Sequence, residues 1–401
     1  MSSSGSSSTI TTKTGAPIIT AVTVISTTNV SVSFKQPTGT GKIDYYTVRS
    51  SPGGLTATGT SSPITVTGLT PNTPYRFTVT STNSGGTSIS SFASALVTTK
   101  PNAPTIGTAT VSSTTAVSVA FTASSGTGTI TNYTVTSSSG DLIGTGTSSP
   151  ITVSGLSSNT PYTFTVTATN SGGTSVSSNA STAVITKPNA PTIDDANILS
   201  TTTISVDFNT PSGTGSLSYI VISSPGGLTG TGSSSPITVS GLTPNTEYTM
   251  TVTATNSSGT SVASTASSAV TTIPNPPTIG TATVSSTTAV SVAFTASSGT
   301  GTITNYTVTS SSGNLIGTGT SSPITVSGLS ANTSYTFSVT ATNSGGTSVA
   351  SSVSTSVTTK PNTPTIGTAT VSSTTEVSVA FIAPSGGTGT ITGYTVTSSH
   401  G

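Results

Sequence analysis

The chain repeats itself at long range: Pro17, Pro104, Pro191, Pro277 and Pro364 recur at separations of 87, 87, 86 and 87 residues. Phe34, Phe121, Phe208, Phe294 and Phe381 keep the same spacing, and Tyr46, Tyr133, Tyr219, Tyr306 and Tyr394 keep it to within one residue. A period of this length exceeds the ~20–50 residues of stacked solenoid units, so each repeat is expected to close its own core as a small domain. The register divides the chain into a flexible Ser/Thr-rich tail over 1–14, complete repeats over 15–100, 101–187, 188–273 and 274–360, and an incomplete fifth over 361–401. Residues 104–140 and 277–313 are identical, loops and solvent-facing positions included. Recent duplication explains this most simply, and what it copies is length and spacing.

Within a repeat the pattern is β throughout. Ser and Thr make up roughly 45% of the chain, a bias that by itself suggests a disordered stalk. Alternation decides otherwise: Val117, Val119 and Phe121 share one face, the two-residue period of a half-buried strand. The second repeat reads as "PTIGTATVS", "AVSVAF", "ITNYTVTSSS", "DLIGTGTSS", "PITVSGL", "YTFTVTATN" and "TSVSSNASTAVIT". Seven short segments separated by turn signals, with no helical period, predict an all-β chain of tandem seven-stranded antiparallel β-sandwiches.

A Leu followed six residues later by a Tyr and then by alternating apolar residues recurs as "GLTPNTPYRFTV", "GLSSNTPYTFTV", "GLTPNTEYTMTV" and "GLSANTSYTFSV". The leucines are Leu69, Leu156, Leu242 and Leu329, and the tyrosines Tyr75, Tyr162, Tyr248 and Tyr335. In these segments the chain resembles the fibronectin type III domain, an immunoglobulin-like sandwich, over residues 15–401. The resemblance implies that the four tyrosines form tyrosine corners, ring in the core and hydroxyl bonded to nearby backbone. It also implies core positions for Phe34, Phe121, Phe208 and Phe294, which stand where that family usually has Trp; this chain has no Trp. The Arg-Gly-Asp tripeptide used by some members to bind integrins is absent, replaced by "NSGGTS" or "NSSGTS", so adhesion by that route is not implied.

The linkers "TKPNAP", "TIPNPP" and "TKPNTP" carry two prolines three residues apart, which favours short, stiff, extended joints. With strands of about six residues rising ~3.3 Å each, four such domains predict a beads-on-a-string rod on the order of 130 Å. The fifth repeat stops at "GYTVTSSHG", just after its third predicted strand and before any tyrosine corner. Truncation of a longer polypeptide is the first expectation, and completion by a strand from another chain the second.

The sequence offers little for reaction chemistry, and no catalytic, cofactor or metal site is expected. The single histidine, His400, lies in the broken repeat, so no intact domain can assemble a nucleophile with a histidine base. Asp194 and Asp195 are adjacent on a predicted strand and should point to opposite faces, which does not make a paired-carboxylate site. With Asp207 they fall short of the ~6–8 oxygens calcium needs. The absence of cysteine removes disulfides and thiolate metal sites. Glycine clusters such as "GTGTI" join strands and have no following helix to present a phosphate site. Asn-x-Ser/Thr sequons at Asn29, Asn132, Asn179, Asn256, Asn305 and Asn332 follow from composition.

Only 4% of residues are charged and the formal net charge is +1, which leaves no footprint for nucleic acid. No apolar run approaches the ~18 residues of a membrane span, and the first residues lack the n- and h-regions of a signal peptide. The leading expectation is a non-enzymatic spacer, stalk or adhesive fibre on a surface. Similar neutral, Ser/Thr-rich arrays of this family in phage and bacterial surface proteins, with no signal peptide, point first to a virion. A bacterial adhesin and the linker region of a secreted polysaccharide-degrading enzyme are the alternatives. Expected partners are other virion or surface subunits and host-surface glycans, although Tyr45 and Phe92 make a poor stacking platform. A near-zero net charge also predicts homo-oligomeric, lateral assembly.

Overall fold

The structure, a computed structural model, describes residues 10–39 and 41–399; most of the expected tail, and His400, lie outside them. It divides into two compact units: Met1–Asn189 with Ser212–Ser216 and Thr255–Thr260, and Ala190–Pro211 with Leu217–Ala254 and Ser261–Gly401. The described residues form strands and no helix.

The first repeat shows the plan. Its strands are β1 (Ile18–Val24), β2 (Val30–Lys35), β3 (Tyr45–Ser51), β4 (Thr56–Gly59), β5 (Ile64–Val66), β6 (Pro74–Asn83), β7 (Gly86–Thr87) and β8 (Val97–Thr98). One sheet runs β1-β2-β5, the other β4-β3-β6-β7, with β8 on the start of β6. Alternation does what the sequence predicts: β2 buries Val30, Val32 and Phe34 while Ser31, Ser33 and Lys35 turn away. The two inner faces meet over Val48, Leu69, Tyr75, Phe77 and Val79. Equivalent cores fill the second, third and fourth repeats. In each, the strand-two phenylalanine lies against the strand-three tyrosine, with ring centroids 4.7–4.9 Å apart for Phe34–Tyr46, Phe121–Tyr133, Phe208–Tyr219 and Phe294–Tyr306. Burial pushes the phenols of Tyr46, Tyr133, Tyr219 and Tyr306 above the ordinary tyrosine value.

The predicted seventh strand is different. Beyond its first residue, which closes the hairpin in Gly86–Thr87, only Val97–Thr98 of the first repeat and its counterparts pair as strand. The stretch before it instead follows a three-residue period, as a polyproline II path does. Ser88, Ser91 and Ser94 give their N–H groups to the carbonyls of Ser81, Val79 and Phe77. Their hydroxyls accept the N–H groups of the same three residues, at 3.1, 2.9 and 3.0 Å. Each hydroxyl then donates to the carbonyl of the residue after it. The same ladder recurs at Ser175, Ser178 and Ser181, at Ser261, Ser264 and Ser267, and at Ser348, Ser351 and Ser354. A serine at every third position satisfies the neighbouring strand with its own N–H as donor and its hydroxyl as acceptor in place of a backbone carbonyl, so no regular ladder forms.

Three further expectations need correction. Residues 12–14 do not behave as a free tail: Thr14 is buried and donates to Ser81 O at 3.1 Å, and Asn83 donates to Thr12 O at 3.0 Å. Asp194 and Asp195 do not take opposite faces, because the strand Thr192–Ile198 bulges between Ile193 and Asp195 and leaves both exposed. Among the described residues of the fifth repeat, only Thr365–Val371 and Val377–Ile382 form strands. The expected third strand is not formed among the described residues, because in complete repeats it pairs with segments that lie beyond the tyrosine corner or just before it. Phe381, at a core position elsewhere, is 39% exposed here.

Candidate functional site: corners and asparagine joints

The tyrosine-corner residues come together as the resemblance implies. Tyr75, Tyr162, Tyr248 and Tyr335 are buried, and their hydroxyls accept the backbone N–H of Thr70, Ser157, Thr243 and Ser330 at 2.9–3.0 Å. Leu69, Leu156, Leu242 and Leu329, one residue before those donors, are each 2% exposed. The corner therefore fixes the turn between strands five and six, and that turn presents the next residue of interest.

Asn72 sits at the tip of this turn with φ of 44°, a left-handed conformation that asparagine tolerates better than most residues. It is 2% exposed, and every polar group it carries is used. Its N–H donates to Lys100 O at 3.1 Å and its carbonyl accepts Gly128 N–H at 2.6 Å. Its amide donates to Gly128 O at 2.9 Å, while its Oδ1 accepts from Asn170 Nδ2 at 2.9 Å. Asn170 also donates to Thr99 O at 2.8 Å. Gly128 and Asn170 belong to the second repeat, so one asparagine of the first repeat is gripped by two loops of the next.

The glycines of those loops are there for clearance. A Cβ on Gly126 would stand 2.5 Å from Asn72 O, and one on Gly128 would stand 2.7 Å from Asn72 Oδ1. One on Gly172 would overlap Thr98 O. The second unit repeats the arrangement: Asn245 donates to Gly301 O at 2.9 Å and accepts Gly301 N–H at 2.7 Å. Asn343 gives its amide to Asn245 Oδ1 at 3.0 Å and to Thr272 O at 2.8 Å. Asn332 holds Gly389 of the fifth repeat in the same way, at 2.7 Å in both directions. Loops read from sequence as turn chemistry are thus the contact surfaces of a joint, whose hydrogen bonds run between neutral groups, with the Lys100 side chain lying against Gly173.

Sequence reasoning missed this joint. Its signal was the invariant "NT" after each corner leucine together with the invariant loop glycines. Among the described residues no cluster of three or more His, Asp or Glu could hold a metal ion. Tyr45 and Phe92 are both exposed, Phe92 fully, and stand on different elements.

The family model of the fibronectin type III domain matches residues 15–96, 102–184, 189–270 and 275–358. The chain belongs to the fibronectin type III domain family, as a tandem array of structural or adhesive modules. Among solved structures it is similar to chicken CNTN1 FN1-FN3 domains, at 21% identity and a TM-score of 0.27, over 65% of this chain and 98% of that one. No curated protein matches the chain.

Proposed function

We propose that the chain is a surface-displayed spacer whose purpose is to hold successive domains in a fixed relation, and that the surface is that of a virion. The observation that carries the spacer is the joint: the same asparagine, glycines and hydrogen bonds recur within each unit, so what repeats is a way of orienting one domain on the next. A near-neutral, hydroxyl-rich surface suits a stalk that must stay solvated and bind little along its length. Other surface subunits and host glycans are the partners such a stalk would bring together.

The chain lacks cysteine, so spin labels can be placed at will. With labels at Thr60→Cys and Thr147→Cys, the distance distribution between the first two domains should be narrow, and Asn72→Ala should broaden it. A wild-type distribution as broad as the variant's rejects a fixed joint. Immunogold labelling of purified particles tests the location, and label confined to cell envelopes moves the chain to a cellular surface.

A further inference from the structure

The chain is close to neutral as a whole but not repeat by repeat. The first repeat carries five bases (Lys35, Lys42, Arg49, Arg76 and Lys100) against one acid, Asp44, for a net charge of +4. The third carries four acids (Asp194, Asp195, Asp207 and Glu247) and no base, for −4. In the second, Lys187 and Asp141 cancel, and the fourth has Lys360 alone.

The charges are also gathered onto faces. Arg49 of β3 and Arg76 of β6 both point outward from one sheet, on adjacent paired strands: Ser51 lies opposite Arg76, and Thr78 opposite Arg49. Arg76 is held by a bond from Nη1 to Ser94 O at 2.7 Å. The other complete repeats have Thr136, Ile222 and Thr309 in place of Arg49, and Thr163, Thr249 and Thr336 in place of Arg76.

In the third repeat, Asp194 and Asp195 project from the bulged first strand, and Asp195 lies directly opposite Asp207 on the second. Like charges placed opposite one another destabilise a sheet, and the repeat has no cation to offset them. Neutral amides hold them instead: Asn209 Nδ2 donates to Asp194 Oδ1 at 2.6 Å and Asn197 Nδ2 to Asp207 Oδ2 at 3.0 Å. The fold of the repeat does not call for this arrangement, since the second and fourth repeats build the same bulge with Gly107 and Gly280 in place of Asp194.

We propose that these two faces bind each other between copies of the chain: the Arg49–Arg76 face of the first repeat of one copy docks on the Asp194–Asp195–Asp207 face of the third repeat of another. The occupant is a second copy because the two patches are opposite in sign, lie on repeats of equal and opposite net charge, and are present once each on every chain. The contact is heterologous, so a docked pair still offers one free face of each kind and further copies can add, into rings or filaments. The inference stands apart from the spacer reading, which concerns how one repeat sits on the next.

The test is light scattering and sedimentation of the full chain at about 10 mM and about 1 M salt, where screening lengths are ~30 Å and ~3 Å. Association is expected at low salt and dissociation at high salt. Arg49→Glu with Arg76→Glu, and separately Asp194→Lys with Asp195→Lys, should each weaken association about tenfold or more. An equimolar mixture of the two variants should recover it, since each then supplies the face the other has lost. Circular dichroism melts establish that both variants are folded. A wild-type chain that stays monomeric at low salt, an association indifferent to the reversals, or a mixture of folded variants that does not associate would each overturn the proposal. The inter-domain distance distribution is unaffected in every case, so the spacer reading fails or survives on its own measurement.

Discussion

At the residue scale, the chain is built so that hydroxyls do work that other proteins give to amides and charges. The corner tyrosines illustrate it: removing the hydroxyl in Tyr162→Phe keeps the ring in the core but strands the Ser157 N–H. A fully buried unpaired donor costs about 1–3 kcal/mol; this bond is half-buried, and denaturant melts of the full chain should show one transition shifted down by about the lower end of that range. The ladder serines behave alike: Ser178→Ala removes the acceptor for Val166 N–H, which Ser178 Oγ takes at 3.0 Å, and a loss of similar size is expected. Titration adds a third expectation. Burial raises the phenols of Tyr46, Tyr133, Tyr219 and Tyr306 in the folded state. Their contribution is therefore complete below the unfolded tyrosine value of ~10 and is lost as pH rises through the higher folded values. Thermal stability measured against pH should fall above about pH 10 as the unfolded chain ionises first.

At the element scale, what could be read in the sequence followed from locality. Six strands per repeat announce themselves by alternation within a few residues, as in Val117, Val119 and Phe121, and the corner is a seven-residue motif, Leu69 to Tyr75 in the first repeat. The seventh segment misled because "TSVSSNASTAVIT" is apolar enough to pass for a strand. Its real code is the serine at every third place, Ser175, Ser178 and Ser181, a period that strand and helix templates both overlook. The joint was out of reach for another reason: Asn72 meets residues 56 and 98 positions away, and no local pattern encodes such a meeting. Gly128→Ala tests the joint at this scale. The added methyl has to displace Asn72 Oδ1 and Thr98 Cγ2, at 2.7 and 2.6 Å, so the inter-domain distance distribution should widen while both domains keep their cores and their own transitions. Because the hydrogen bonds of the joint join neutral groups, its geometry should also be the same at low and high salt.

At the scale of the whole molecule, a near-zero net charge hides an ordered distribution of charge, with +4 in the first repeat and −4 in the third. Salt is therefore the variable that separates the two levels of organisation: it should dissolve contacts between copies and leave contacts between successive domains alone. The serine ladders bear on the same question from another side. A chain carrying this many short strands, in repeats that are in places identical, risks strands from different domains or different chains pairing with one another during synthesis and at high concentration. Such pairing needs a row of amides spaced as a strand spaces them. The outer side of each sandwich ends instead in a segment of three-residue period, whose free amides do not match that spacing. The repeats are in this sense insulated along one border, so that copies can be crowded together on a surface and still recognise one another only by face.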